Sequence, residues 1–173
     1  MLYLTSDQHL FHSEIIEACK RPYVNAQKMN NDIIYKFNSI VTNQDEVIML
    51  GDLTMRASDQ IRSIESIIQK LNGKKYFVFG NHDKFKPFDY LEMGFLCAST
   101  SMKIKACGID VICVHDPVVA CLDPNQIFLC GHVHNWWKKC KNAINVGVDV
   151  WNFFPVSEHQ IKELIDQDPV IQN

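Results

Sequence analysis

Five short apolar runs limit what this chain can fold into, because each is strand-length and rich in β-branched or aromatic residues. The runs read MLYLT, EVIMLG, KYFVFG, IDVICV and QIFLCG. Two stretches between the first three runs, from Met29 to Val41 and from Ile61 to Leu71, repeat their apolar residues at helical spacing. This strand–helix alternation predicts parallel strands in a sheet covered by helices.

The second half of the chain is richer in strands. STSMKIKACGIDVICVH predicts a hairpin that turns near Cys107–Gly108, and NAINVGVDVW predicts further strand. Ser58–Asp59 and Asn72–Gly73 are start and stop signals for the second helix, and SEHQ predicts a capping box from Ser157 to Gln160. Two packed sheets with helices outside fit this pattern better than one open sheet. At 173 residues, 1–173 is predicted to be a single domain.

Composition argues against several classes of partner. The net charge of −3 and the isoelectric point of about 6.1 do not favour nucleic acid or an anionic membrane. No stretch approaches the roughly 20 apolar residues of a membrane span. The start MLYLTSDQHL lacks a signal-peptide pattern, and the seven cysteines include no C-x-x-C pair. We therefore expect a cytoplasmic protein with reduced cysteines.

Residues of the kinds that bind metals follow directly after every one of the five apolar runs. In an open α/β sheet the site lies just outside the carboxyl ends of the strands, so we expect these side chains on one rim. Imidazole and carboxylate together suit Mn, Zn, Fe, Ni or Co, whereas Mg and Ca prefer oxygen ligands. Asp116 precedes Pro117 and is predicted only to set a turn. The strand-end residues are Asp7, His9, Asp52, Asn81, His82, Asp83, His115, Asp116, His132 and His134.

Seven of these residues are plausible ligands, which is too many for one tetrahedral ion. They suit two divalent ions if one carboxylate binds both. Two ions about 3.5–4 Å apart can activate a shared water and stabilise both the attacking and the leaving oxygen of an in-line displacement. Hydrolysis of a phosphoester is the reaction that such a site serves best. The alternative is that these residues are ordinary caps and turns at strand ends.

The blocks DQH, GD, GNHD, a single H and GHVH occur in this order and resemble those of the calcineurin-like metallophosphoesterases. The resemblance runs from residue 3 to about residue 157. The segment NVGVDVWNFFPVS further resembles a small single-domain branch from bacteria and phages. The resemblance implies an α/β (α+β) fold: a four-layer αββα sandwich of two mixed sheets flanked by helices, with a dinuclear metal site at the strand ends.

The resemblance also implies a role for each residue of the blocks. His82 would contact the substrate phosphate and protonate the leaving oxygen, with Asp83 orienting its ring. A hydroxide between the ions would attack phosphorus directly, without a covalent enzyme intermediate. Two divalent ions are implied, with Mn the first candidate and Fe, Zn, Ni or Co alternatives. The first ion would be held by Asp7, His9 and His134, the second by Asn81, His115 and His132, and both by the bridging Asp52.

Four residues are weaker candidates for contact with substrate: Asn81, His12, Arg56 and Trp136. Asn81 and Arg56 could contact phosphate, and Trp136 could stack on a base or an aryl leaving group. His12 could instead be a solvated helix-start residue, and Trp136 simple packing. The basic segment KKCK that begins at Lys138 is more typical of a solvated turn than of a substrate contact.

Little chain is left for an elaborate lid, so we expect an open site for phosphodiesters or small phosphomonoesters, including nucleotide-like ones. A nuclease of the same chemistry is one alternative, and it would bind nucleic acid in a salt-dependent manner. A non-catalytic metal-binding scaffold of the same fold is the other. The sequence carries no pattern that identifies a protein partner.

Overall fold

Two five-stranded sheets form the centre of the protein in a computed structural model that describes residues 1–55 and 61–167. The first sheet has the order β10-β1-β2-β3-β4 and the second β5-β6-β7-β9-β8. The strands are β1 Leu2–Thr5, β2 Glu46–Met49, β3 Lys74–Val78, β4 Cys97–Ser99, β5 Met102–Ala106, β6 Ile109–Cys113, β7 Ile127–Cys130, β8 Lys139–Cys140, β9 Ala143–Asn145 and β10 Val156–Ser157.

Five α-helices and two short 3₁₀ helices connect these strands in the described part of the chain. The α-helices are α1 Glu14–Ala18, α2 Ala26–Ile40, α3 Ile61–Ile68, α4 Pro87–Glu92 and α5 Glu158–Asp166, and the 3₁₀ helices are Pro117–Leu122 and Val148–Val150.

Both sheets are mixed, and their parallel strands are the ones that matter for a site. Strands β1 to β4 are parallel to one another, while β10 joins β1 antiparallel. In the second sheet β6, β7 and β9 are parallel, with β5 and β8 antiparallel at the two edges. The carboxyl ends of the parallel strands in each sheet therefore lie at one edge of that sheet.

Alternation along the strands places apolar side chains on both faces of each sheet, so cores form both between the sheets and outside them. Leu4 and Ile48 of the first sheet pack with Leu129 of the second, which makes the core between the sheets. Their strand neighbours, such as Val47, pack outward against α2, α3 and α4. The outer face of the second sheet is covered mainly by the 3₁₀ helix Pro117–Leu122, with Trp137 beside it. The predicted sandwich of two mixed sheets flanked by helices is confirmed, and its fourth layer is thin.

Most local predictions are confirmed. The hairpin turns at Cys107–Gly108, whose φ angles of 45° and 80° are both in the left-handed region, and the capping box joins Ser157 to Gln160. The helix stop at Asn72–Gly73 was placed too late, because α3 ends at Ile68. The predicted start at Ser58–Asp59 lies outside the described residues.

The prediction of strand throughout NAINVGVDVW was wrong beyond Asn145. The chain leaves β9 there and forms the 3₁₀ helix Val148–Val150. The backbone N–H groups of Val150 and Trp151 donate within this turn, to Gly147 and Val148, and the side chain of Asp149 is nearly fully buried in an ion pair with an arginine.

All seven cysteines lie in the described ranges, and none is paired. Cys113 and Cys130 are buried, as expected of thiols that act as small apolar residues. Among the residues described, no helix is long and apolar enough to cross a membrane.

Candidate metal centre

The seven predicted ligands converge because each follows the carboxyl end of a parallel strand. Five of them adopt left-handed backbone conformations although none is glycine, and a non-glycine residue there costs about 1–2 kcal/mol. Such strain concentrates at functional sites, where the surrounding structure enforces it. The five residues and their φ angles are Asp7 at 60°, His9 at 50°, Asp52 at 53°, His132 at 72° and His134 at 48°.

The first ligand group consists of Asp7, His9 and His134, whose ligand atoms all lie within 4.8 Å of one another. Asp7 is 0% exposed and His9 is 1% exposed. The backbone N–H of His132 donates to both carboxylate oxygens of Asp7 at 3.1 Å, which fixes that carboxylate between the two sheets.

The second ligand group consists of Asp52, Asn81, His115 and His132. Ligand atoms of Asp52, His115 and His132 lie within 4.8 Å of one another. The Oδ1 atom of Asn81 is 3.0 Å from Nε2 of His115 and 2.9 Å from Nδ1 of His132. Nδ1 of His115 contacts the carbonyl oxygen of Leu50 at 2.7 Å. That bond leaves Nε2 of His115 directed at the group.

One oxygen of Asp52 reaches both groups. Its Oδ2 atom is 3.6 Å from Nε2 of His9 in the first group and 3.3 Å from Nε2 of His115 in the second. A carboxylate so placed is the geometry expected of a ligand shared by two ions.

Nearby carboxylates raise the pKa values of two histidines of the site, His115 and His134. Burial works to lower the pKa of His115, but its hydrogen bond to Asp52 and the charges of Asp7 and Asp52 raise it to about 9. Burial likewise opposes the rise of the pKa of His134 to about 10, which its hydrogen bond to Asp149 drives. For Asp52, burial is outweighed by His115 and the pKa falls to about 2. Asp52 thus carries a negative charge that attracts cations into the site, whereas burial raises the pKa of Asp7.

His9 provides the sharpest test of whether metal ions fit. Both of its ring nitrogens are buried and make no hydrogen bond to any described residue. Burial lowers the pKa of His9 to about 2, so the imidazole is neutral and has a lone pair available. An unsatisfied buried polar group costs about 1–3 kcal/mol. A divalent ion held by His9, Asp7 and His134 would satisfy it, so the residues fit the cofactor.

His82 lies at the open side of the two groups, with its side chain 36% exposed and its Nε2 4.0 Å from Oδ2 of Asp52. Its backbone N–H donates to Oδ1 of Asp52 at 3.0 Å. Asp83 contacts different atoms from those the resemblance implies. Its carboxylate accepts hydrogen bonds from the backbone N–H groups of Gly80, Asp52 and Leu53 at 2.7, 2.8 and 3.1 Å. Asp83 therefore fixes the segment that carries Asp52, and no described contact joins it to the His82 ring.

The weaker candidates for substrate contact differ in their surroundings. The ring of His12 is 5.4 Å from that of His9, and its Nε2 is 3.6 Å from Glu14 Oε2. Trp136 is 83% exposed and lies between two cavities of about 340 and 360 Å³ that both reach His132. Arg56 lies outside the described residues. Asp116 caps the 3₁₀ helix Pro117–Leu122 by accepting from the backbone of Val118, as its predicted turn role requires.

Lys138 and Lys139 of the segment KKCK make contacts outside both ligand groups. Nζ of Lys138 lies 3.6 Å above the ring of Trp151, and Nζ of Lys139 donates to the carbonyl oxygen of Leu164 at 2.6 Å. Their contacts support a structural role for this segment.

Two glycines permit the backbone to approach the ligands. A Cβ at Gly131 would lie 2.0 Å from Ser6 Oγ and 2.4 Å from Oδ2 of Asp7. A Cβ at Gly51, where φ is +84°, would lie 2.5 Å from the backbone nitrogen of Gly80 and 2.7 Å from Nδ1 of His115. A side chain at either position would displace a ligand.

Three residues beside the first ligand group were not predicted from the sequence: Asp149, Cys19 and Arg21. Asp149, Cys19 and His134 each offer a ligand atom within 4.8 Å of the others, and Arg21 forms an ion pair with Asp149. A signal for Asp149 was present: an aspartate inside the apolar segment NVGVDVW needs a buried partner. No local pattern points to that partner, because Arg21 is 128 residues away in the chain.

These features define a class of protein: two packed mixed sheets with a cluster of histidines and carboxylates at the carboxyl ends of their parallel strands, suited to two divalent ions. The sequence matches the calcineurin-like phosphoesterase family over residues 2–166, and the chain belongs to that family. The family consists of metal-dependent phosphoesterases that use divalent metals at a dinuclear site.

Two curated proteins and one solved structure are similar to this chain over nearly its whole length. The uncharacterized protein MJ1445 of Methanocaldococcus jannaschii is 31% identical over 180 residues, covering 99% of this chain and 94% of its own. The gene 66 protein of Mycobacterium phage L5 is 25% identical over 196 residues, covering 95% and 93%. The crystal structure of AQ665 from Aquifex aeolicus, a protein of unknown function, shares the fold with a TM-score of 0.74 at 24% identity, covering 95% of this chain and 98% of its own.

Proposed function

We propose that this protein hydrolyses accessible phosphodiesters or small phosphomonoesters with the aid of two divalent ions, Mn²⁺ being the first to test. The observation that carries the proposal is the position of Oδ2 of Asp52. It lies 3.6 Å from His9 Nε2, 3.3 Å from His115 Nε2 and 4.0 Å from His82 Nε2. Both candidate ligand groups and a candidate proton donor therefore meet at one atom.

The first ion would be held by Asp7, His9 and His134, the second by Asn81, His115 and His132, and Asp52 would be shared. When bound, such a pair of ions supplies Lewis acidity that activates water as the nucleophile and neutralises charge on the phosphoryl oxygens.

His82 donates a proton to the leaving oxygen in this proposal. Its backbone bond to Asp52 holds it beside the shared carboxylate, and its partial exposure lets a departing alcohol leave towards solvent. The amide oxygen of Asn81 points at His115 and His132, so its NH₂ group can donate to a phosphoryl oxygen that accumulates charge.

The surface around the site favours small or extended substrates with a planar group. Trp136 presents an exposed aromatic face between two cavities that reach His132. Aromatic faces stack on bases and aryl rings. The net charge of −3 gives no support for binding a long duplex.

The test begins with protein stripped of metal and assayed with and without Mn²⁺ on bis-p-nitrophenyl phosphate and p-nitrophenyl phosphate. Turnover is expected only with added metal, and the faster substrate distinguishes a diesterase from a monoesterase. No turnover in protein that holds two ions would contradict the proposal and favour the scaffold alternative.

The role of His82 is tested by changing the leaving group. His82→Ala is expected to lower kcat on glycerol phosphate by on the order of 10²–10⁴-fold, because an alkoxide needs a proton to leave. The loss on p-nitrophenyl phosphate is expected to be much smaller, since nitrophenolate is a stable anion. His159→Ala is the matched control, because His159 lies on α5, where its ring contacts Cys107. Equal losses on both substrates would rule out proton donation.

A further inference from the structure

A buried ion pair that belongs to neither ligand group lies behind the first one. Arg21 donates through Nε and Nη2 to Oδ1 and Oδ2 of Asp149, both at 2.8 Å, and the two side chains are 0% and 3% exposed. Burying two charges carries a desolvation cost that pairing alone often fails to recover. A pair retained at such a cost is a candidate for a role beyond stability.

Asp149 contacts a predicted metal ligand directly. Its Oδ2 lies 3.1 Å from Nδ1 of His134, and the same oxygen accepts from Arg21. A carboxylate accepts only, so Nδ1 of His134 carries the proton in this contact. The lone pair of a neutral His134 is then on Nε2, and that nitrogen is the one available to an ion. Carboxylates behind ligating histidines commonly fix ring orientation and tautomer in this way.

Arg21 also fixes the segment that carries the other ligands of the first group. Its Nη2 donates to the carbonyl oxygen of Asp7 at 2.8 Å, and its Nη1 donates to that of Gln8 at 3.0 Å. These bonds hold the backbone where Asp7 and His9 adopt left-handed conformations. One guanidinium thereby connects both sides of the first group.

Among the described residues, no buried ion pair lies behind a histidine of the second group. There the ring of His115 is held by a neutral backbone carbonyl, that of Leu50. Removing the charge of Asp149 should therefore lower the affinity for one ion and leave the affinity for the other unchanged.

We propose that Arg21 and Asp149 are positioning residues for the first ion, which they serve by holding His134 and Asp7 in ligating geometry. The inference rests on the proposed binding of two divalent ions, and it does not depend on which ester is cleaved.

The first experiment counts bound Mn²⁺ by equilibrium dialysis and records the electron paramagnetic resonance spectrum. Asp149→Asn keeps the shape of the side chain and removes its charge. We expect the affinity for one ion to fall roughly 10- to 100-fold with the other unchanged. The spectrum of a coupled Mn²⁺ pair should then give way to that of an isolated ion at metal concentrations that saturate the unsubstituted protein.

The matched control is Asp45→Asn. Asp45 is also a largely buried aspartate in an ion pair, here with the N-terminal amine at 2.7 Å, and it lies outside both ligand groups. The control is expected to bind both ions normally. Wild-type affinity for both ions in Asp149→Asn would overturn the inference, and so would an equal loss at both sites.

A second measurement takes its result from the unsubstituted protein. In Zn²⁺-loaded protein labelled with ¹⁵N-histidine, the ring of His134 should show a proton on Nδ1 and metal on Nε2, with His134→Gln used only to assign the signal. Metal on Nδ1 would overturn the inference, as would an absence of metal binding. If both measurements hold while no phosphoester is cleaved, the proposed function fails and the positioning role stands.

Discussion

The two ligand groups share Asp52 but differ in their surroundings. In the first, Asp7 and His9 are almost fully buried and His134 is braced by the charged pair Arg21–Asp149. In the second, Asn81 and His132 are exposed. The enclosed group is therefore fixed by the surrounding protein, whereas the open group is accessible from solvent.

Asp52→Asn should impair metal binding in both groups, because it weakens the one carboxylate that lies beside both. Loss of several kcal/mol of transition-state stabilisation corresponds to a fall in kcat/KM of about 10³-fold or more. Metal counting and phosphoesterase assays on the same sample measure it. Retention of two tightly bound ions would show that Asp52 is not the bridge.

Gly51→Ala should damage the second group most directly, through strain at φ +84° and a clash with the Gly80 backbone and His115. We expect the free energy of unfolding to fall by about 3 kcal/mol, from left-handed strain plus overpacking. Gly108→Ala is the control, because its φ is +80° but nothing lies within 4 Å of the added Cβ. It should lose only about 1–2 kcal/mol. Equal losses in urea unfolding would mean that the clash contributes nothing.

Acidification should lower the affinity for both ions, because each group contains one imidazole that is protonated at neutral pH when no metal is bound. Ligation requires neutral imidazole, and the pKa values of His134 and His115 are about 10 and 9. Binding at pH 7 therefore releases a proton from each, and affinity rises with pH by roughly tenfold per unit for each proton released. Mn²⁺ titration in weakly buffered solution measures the release. Release that persists above pH 10 would contradict these assignments.

Trp136→Ala should give the smallest effect and should leave metal binding unchanged. Stacking by an exposed ring is worth about 1 kcal/mol, so KM for aryl esters should rise about fivefold with kcat unchanged. A steady-state comparison with glycerol phosphate, which has no ring to stack, is the check. An equal rise for both substrates would exclude stacking.

The sequence was sufficient for the features that depend on local periodicity. Strands and helices were predicted from apolar spacing, and the ligands from their position after strands, because parallel strands deliver their ends to a common rim. The left-handed backbone at Asp7 or His134 could not be predicted, since non-glycine residues adopt it only under tertiary constraint.

Side-chain contacts between residues far apart in the chain could not be predicted from the sequence either. The contacts of Asp149 with Arg21 and His134 join segments far apart in the chain, and a segment of alternating valines around Asp149 favoured strand. Asp83 is similar: its neighbour His82 suggested a side-chain contact, whereas its carboxylate accepts from backbone N–H groups, two of which belong to the distant Asp52 and Leu53.

Both ligand groups contain residues from both sheets, which would give bound ions a mechanical role. Asp7, His9, Asp52 and Asn81 follow strands of the first sheet, whereas His115, His132 and His134 follow strands of the second. Each ion would therefore cross-link the two halves of the sandwich at one end, much as a disulfide joins two segments. Because a ligand that binds only the folded state raises stability with its concentration, Tm should climb with free Mn²⁺. Metal supply would then govern how long the protein survives as well as how fast it works.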